Sequence, residues 1–136
     1  MSRVQKRPNL RRIDEIQTKR IAHGMSDLAG MYARRVGGSG SDWRAKGDVI
    51  SSMFLFEAKD KAKPSKQRTI YRSVFDKLKV EAINEGGKIP VYVVGFGDGE
   101  DFMILHSLDF YGLVERMLKA EEEVRELKNR FNEPVE

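Results

Sequence analysis

Gly47-Asp48-Val49-Ile50-Ser51-Ser52-Met53-Phe54-Leu55-Phe56-Glu57-Ala58-Lys59 is the stretch on which the fold turns. It reads as a β-hairpin: a short strand over 47–50, a Ser-Ser turn, and a second strand over 53–59 rich in aromatic and aliphatic residues. Side chains alternate along a strand, so Glu57 and Lys59 share one face. Phe54, Phe56 and Ala58 take the other, which is apolar and belongs to a core. Folding the hairpin back sets Asp48 beside Glu57, and two carboxylates and one ammonium converge among apolar neighbours. Such a pair of carboxylates holds a hard divalent cation through oxygen. With a lysine alongside, the set suits attack of water on a phosphodiester. On spacing alone, an edge-strand salt bridge accounts for the same three residues.

Outward from the hairpin, the N-terminal side predicts a helix from Ile13 to about Tyr32, with an imperfect apolar stripe at Ile13, Ile16, Ile21 and Leu28 and a break at Gly24. Val36-Gly37-Gly38-Ser39-Gly40-Ser41 is a loop by composition. On the C-terminal side, Pro64-Ser65 marks a helix start. Ile70, Val74, Leu78 and Ala82, flanked by Tyr71 and Phe75, form the stripe of an amphipathic helix ending at Gly86-Gly87. Strands follow at 89–96 and 102–105, joined by Gly97-Asp98-Gly99. No helix follows these glycines, so they make a hairpin turn and not a nucleotide loop. The order is α-β-β-α-β-β, an α/β chain, with a helical tail from about Phe110. In that tail Leu113, Met117, Ala120, Val124, Leu127 and Phe131 are spaced 4-3-4-3-4. That spacing fits a coiled-coil seam or an amphipathic helix lying on the domain.

The chain has 136 residues, 40% apolar and 34% charged, enough to build the core of one domain. The absence of cysteine excludes a disulfide scaffold, a thiolate zinc site and a Cys nucleophile. His23 and His106 stand far apart, with no acidic or His partner at ligand spacing, against a His-built metal site. No apolar run approaches the roughly 20 residues of a membrane span. The first residues also lack the apolar stretch of a signal peptide. The expectation is a soluble, cytoplasmic protein without membrane contact. Charge is uneven. Residues 1–12 carry Arg3, Lys6, Arg7, Arg11 and Arg12 and no acid. Residues 59–79 carry eight Lys and Arg against Asp60 and Asp76, a net of +6. A basic arm and a basic central stretch are the footprint of a polyanion binder, or else the solvated surface of a Lys-rich protein.

Gly47-Asp48 followed nine residues later by Glu57-Ala58-Lys59 resembles the PD-(D/E)xK nuclease signature, with Gly47 where the family name has Pro. The preceding helix, the Gly-Ser loop and the order of the later elements resemble the archaeal-type Holliday junction resolvases and their phage-encoded relatives, over residues 13–110. The resemblance implies a restriction-endonuclease-like central mixed β-sheet flanked by helices, with a C-terminal helix. The expected divisions are a basic arm at 1–12, a nuclease domain at 13–112, and a C-terminal amphipathic helix with a frayed tail at 113–136. The implied activity is symmetric hydrolysis of branched double-stranded DNA at four-way junctions, in recombination and repair, by a homodimer with no organic cofactor. Asp48 and Glu57 would hold Mg²⁺ (or Mn²⁺), and Lys59 would orient the attacking water and stabilise charge on the phosphorane. An acid on the first helix would complete the metal set: Glu15 first, then Asp27, then Asp14. DNA contacts are expected from Ser39, Gly40, Ser41 and Arg44, where small residues let backbone approach a phosphate and Trp43 can stack. Further contacts are expected from Lys61, Lys63, Lys66 and Arg68, and from Arg11 and Arg12 of the arm. The alternatives are another PD-(D/E)xK enzyme, such as a nickase or exonuclease, and a non-catalytic nucleic-acid-binding protein.

Overall fold

The computed structural model describes residues 10–36 and 47–133. In chain order they form α1 (Leu10–His23), a π-helical turn (Gly24–Leu28), β1 (Ala33–Arg35), β2 (Val49–Ser51), β3 (Phe54–Lys59), α2 (Arg72–Asn84), β4 (Ile89–Gly95), β5 (Asp101–Ile104) and α3 (Ser107–Asn132). The five strands make one mixed sheet in the order β1-β2-β3-β4-β5. β3 and β4 are parallel, with Phe54 opposite Ile89 and Lys59 opposite Val94. The other neighbours are antiparallel. This is the mixed β-sheet flanked by helices, with a C-terminal helix, that the resemblance implies.

Every residue of β4 after Ile89 is buried, because the sheet is covered on both faces and a strand in that position reads as a continuous apolar run. On one face, Ile21 of α1, with Ala22 and the π-turn's Met25, packs against Val49, Phe56, Ala58, Val91 and Val93. On the other, Leu78 and Ala82 of α2 pack against Leu55, Tyr92 and Val94. The core is therefore double. The Phe54/Phe56/Ala58 face is only half of it, because Leu55, on the same side as Glu57, is also fully buried. Burying such side chains stabilises by about 1.5–3 kcal/mol each relative to exposure.

Several boundaries differ from the expectations for physical reasons. The first helix stops short of Tyr32. At Gly24 the register loosens, Ala29 N–H donating to Gly24 C=O, and the chain then enters β1. β1 was not expected: three residues, two of them exposed arginines, carry no strand pattern. α2 begins at Arg72 and not at Pro64. Ser65 N–H donates to Phe96 C=O, and the Ser65 hydroxyl donates to Gln67 C=O and accepts from Gln67 N–H. Those bonds hold the segment as a loop against the end of β4, in competition with helix.

The chain divides into two compact units between Ile104 and Leu105. The second is built on α3, which begins at Ser107 and has no buried residue. His106 caps it, Nδ1 accepting from Leu108 N–H at 3.1 Å. Among the described residues, no helix is long and apolar enough to cross a membrane.

Candidate active site

Gly47 decides how Asp48 enters the sheet. Its φ is +79°, and a Cβ there would lie 2.8 Å from Leu55 Cδ1 and 3.1 Å from Phe56 C=O. Proline cannot adopt that φ and other L-residues rarely do, so the turn into Asp48 requires glycine at position 47. Asp48 then bridges three segments. Its N–H donates to Phe56 C=O at 2.8 Å and its C=O accepts from Val36 N–H at 2.9 Å. Its Oδ2 accepts from Ala58 N–H at 2.8 Å. The carboxylate thus satisfies a β3 donor that lies past the last β2–β3 register pair, Val49 with Phe56.

β3 is the middle strand, so an edge-strand salt bridge does not describe Glu57 and Lys59. Lys59 Nζ lies 3.3 Å from Glu57 Oε1, with side-chain exposures of 48% and 21%. Burial pushes the Asp48 carboxyl above its ordinary range; Ala58 N–H and Lys59 oppose the rise and Asp14 adds to it. Burial also raises Glu57, and the Asp48 charge raises it further. Burial works against the Lys59 ammonium, but Glu57, Asp48 and Asp14 outweigh it and hold the group above its ordinary value. Two partly desolvated carboxyls forced together beside a stabilised cation form a site that a proton or a further cation relieves.

The α1 acid whose charge reaches this pair is Asp14, acting on both Asp48 and Lys59. Asp14 shares its helix face with the buried Gln17, Thr18 and Ile21, three, four and seven residues on. Glu15 lies one position off that face and neither perturbs nor bonds the pair. Asp27 falls in the π-turn and pairs with His23 at 3.3 Å on the surface, a partner for His23 that the sequence reading did not find. Of the three acids, Asp14 is the one whose charge acts on Asp48 and Lys59. Glu81 of α2 was missed. Its charge raises Glu57, and its side chain is 14% exposed and lies 3.8 Å from Lys77 Nζ. The available signal was its place seven residues after Val74, at the border of the apolar stripe. Among the described residues no three His, Asp or Glu side chains converge as a metal cluster.

Gln17 ties α1 to the site from behind. It is fully buried, and its Nε2 donates to Lys59 C=O at 3.0 Å and to Asp101 Oδ1 at 3.2 Å. Arg20, one turn on, donates through Nε and Nη2 to Asp101 and through Nη2 to Asp60. The end of β3, β5 and α1 are thus held by one buried polar network.

Lys61, Lys63 and Lys66 are exposed and Arg68 is half-buried, all in the loop between β3 and α2 and not on a helix. Arg11 and Arg12 belong to α1, which starts at Leu10, and not to an arm preceding it; Arg12 is exposed. Ser39, Gly40, Ser41, Trp43 and Arg44 lie outside the described residues, as do Arg3, Lys6 and Arg7.

No family model and no curated protein matches the chain. Among solved structures, it is similar to Archaeoglobus fulgidus Hjc, a Holliday junction resolvase from an archaeal hyperthermophile. The identity is 15%, over 65% of this chain and 74% of that one, with a TM-score of 0.48. At that identity and TM-score the likeness assigns neither fold nor function, and both rest on the residues.

Proposed function

We propose that the chain is a divalent-metal-dependent endonuclease that cuts branched double-stranded DNA, resolving four-way junctions by paired phosphodiester hydrolysis. The observation that carries the reading is that Asp48, seated on Ala58 N–H, and Glu57, both half-buried, interact with each other and with Lys59, whose Nζ is 3.3 Å from Glu57 Oε1. That donor set fits Mg²⁺ or Mn²⁺: two hard oxygen ligands whose mutual repulsion a divalent cation removes. When bound, the cation supplies Lewis-acid charge at the scissile phosphate. The chain's own residues do the rest. Asp48 is fixed by Ala58 N–H. Lys59, kept protonated by its acidic neighbours, serves as a fixed positive charge that orients water and stabilises the developing anion, not as a base. The central test is cleavage of a four-way junction by wild type and by Asp48→Asn, with Mg²⁺ and in EDTA. A second reading is a non-catalytic DNA-binding protein that uses the exposed Lys61, Lys63 and Lys66. It requires binding with no metal-dependent cutting in the same assay.

Paired cuts in a symmetric junction call for two active sites and hence two copies of a chain this size. α3 supplies a surface for that. Met117, Val124, Leu127 and Phe131 of its heptad series are 53%, 49%, 51% and 88% exposed. A dimer is expected by light scattering at micromolar concentration, and Val124→Glu with Leu127→Glu is expected to give monomers. A double variant that remains dimeric moves the seam off α3.

Binding in EDTA is expected to weaken by at least about 10³-fold between roughly 50 and 200 mM salt if six or more phosphates are contacted. Removing residues 2–9, which carry Arg3, Lys6 and Arg7, spares α1 and is expected to flatten that slope. An unchanged slope separates the arm from the DNA.

A further inference from the structure

Beyond Lys59 the chain builds a second feature that hydrolysis does not use. β3 and β4 are parallel and end together at Lys59 and Gly95. The crevice past the carboxyl ends of parallel strands is where open α/β sheets take ligands. Here residues of the 61–71 loop and Phe96 line an open cleft of about 750 Å³, of the size of small-molecule sites. Its wall is pinned in place. Asp60 Oδ1 accepts from Gly97 N–H at 3.0 Å, and Ser65 N–H donates to Phe96 C=O at 2.9 Å. Gly97, at φ +76°, lets the loop come so close that a Cβ would lie 2.5 Å from Lys63 C=O.

The lining combines two chemistries. Lys61, Lys66 and Arg68 bring positive charge. Arg68 lines the cleft, and its Nε is buried with no hydrogen-bond partner among the described residues. Tyr71 is the N-cap of α2, so the positive end of that helix faces the cleft, and the first turn has neither a side-chain cap nor an acid to neutralise it. Aromatic surface stands beside the charge: Tyr71 is 59% exposed, and Phe96 is braced edge-on by Phe102 at 5.3 Å and 79°. A solvent-facing aromatic next to clustered cations is the pattern of a base-stacking platform with a phosphate grip.

We propose that this cleft binds one unpaired nucleotide of a DNA strand, its base stacked on Tyr71 and its phosphate held by Lys61, Lys66 and Arg68. The proposal rests on the nuclease reading only for its DNA substrate. A strand is favoured over a free nucleotide because the cationic run extends in sequence beyond the lining residues, from Lys59 to Arg72.

The test is binding of a labelled thymidine hexanucleotide by fluorescence anisotropy in EDTA, where cutting cannot intervene. The same hexamer with one abasic position, free thymidine monophosphate and inorganic phosphate run alongside. Stacking of one base is worth about 1–3 kcal/mol, so Tyr71→Ala is expected to weaken hexamer binding by about fivefold or more. Tyr71→Phe is expected to retain affinity. The abasic hexamer is expected to bind wild type more weakly and to lose nothing further with Tyr71→Ala. Arg68→Gln is expected to weaken both hexamers alike. If the abasic hexamer binds wild type as well as the intact one, or phosphate competes as well as the hexamer, the cleft holds phosphate alone and the proposal is overturned. Tight binding of the free monophosphate, unimproved in the strand, overturns the strand assignment. The abasic arm uses unmodified protein and so does not depend on how variants fold. Junction cleavage by wild type in Mg²⁺, read in parallel, reports separately on the nuclease reading.

Discussion

Asp48→Asn and Glu57→Gln are each expected to lower four-way-junction cleavage in Mg²⁺ by more than about 100-fold, beyond what loss of a residue supporting a metal ligand costs. Both changes keep size and shape. Asn can still accept from Ala58 N–H through its side-chain oxygen, so the bond that seats residue 48 survives. Neither side chain belongs to the two apolar clusters, and circular dichroism should show an unchanged fold. Affinity for the junction in EDTA should stay level or rise, because each substitution removes a negative charge that repels phosphate when no metal is present. Lys59→Ala should cut as poorly as the carboxylate variants while weakening binding slightly, since it removes a positive charge instead. Asp14→Asn is expected to have the smaller effect of a charge acting at a distance, and Glu15→Gln less still. Near wild-type cutting by Asp48→Asn sinks this active site. Loss of activity together with loss of fold makes the carboxylates structural.

The hairpin that carries the site was legible because its signals are local. Alternation over Phe54–Lys59 requires only the period of a strand, and the Asp48–Glu57 juxtaposition follows from folding two adjacent strands together. What escaped the sequence depends on tertiary placement. That β3 lies in the middle of the sheet follows from β1, whose Ala-Arg-Arg has no pattern apart from its pairing with β2. The rotation of α1 was not legible because its apolar stripe is imperfect. Gln17 and Thr18, polar yet buried, define the inward face, and burial of polar groups is not legible until their partners at Lys59, Asp101 and Arg35 are in place. The loop after β3 was taken for a helix start because Pro64-Ser65 has that composition. The hydrogen bond from Ser65 to Phe96 that decides otherwise spans more than thirty residues.

Glu57→Gln is also expected to stabilise the metal-free protein at neutral pH and to abolish its stabilisation by Mg²⁺. Asp48 and Glu57 both titrate above their ordinary values in the folded chain, chiefly through burial and then, for Glu57, through the Asp48 charge. The folded state therefore holds these protons more tightly than the unfolded chain does. Metal-free stability consequently falls as pH rises from the ordinary carboxylate range through the raised values, and returns on acidification through the same window. Removing one charge removes most of that slope. At neutral pH in EDTA the gain should be about 0.5–2 kcal/mol, the size typical of relieved charge repulsion. The lost contact with half-exposed Lys59 offsets little of it. Mg²⁺ should do for wild type what the substitution does for the variant. At a hundredfold excess over its dissociation constant, binding to the folded state alone adds about 2.7 kcal/mol, which for a domain of this size moves the melting temperature by roughly 10 °C. The measurement is a set of thermal melts across pH 4–8, with EDTA and with Mg²⁺, for both proteins. A variant less stable than wild type in EDTA at neutral pH would show that Glu57 stabilises the fold through Lys59 and does not strain it through Asp48. An equal Mg²⁺ shift in both proteins would place the cation somewhere other than these two carboxylates.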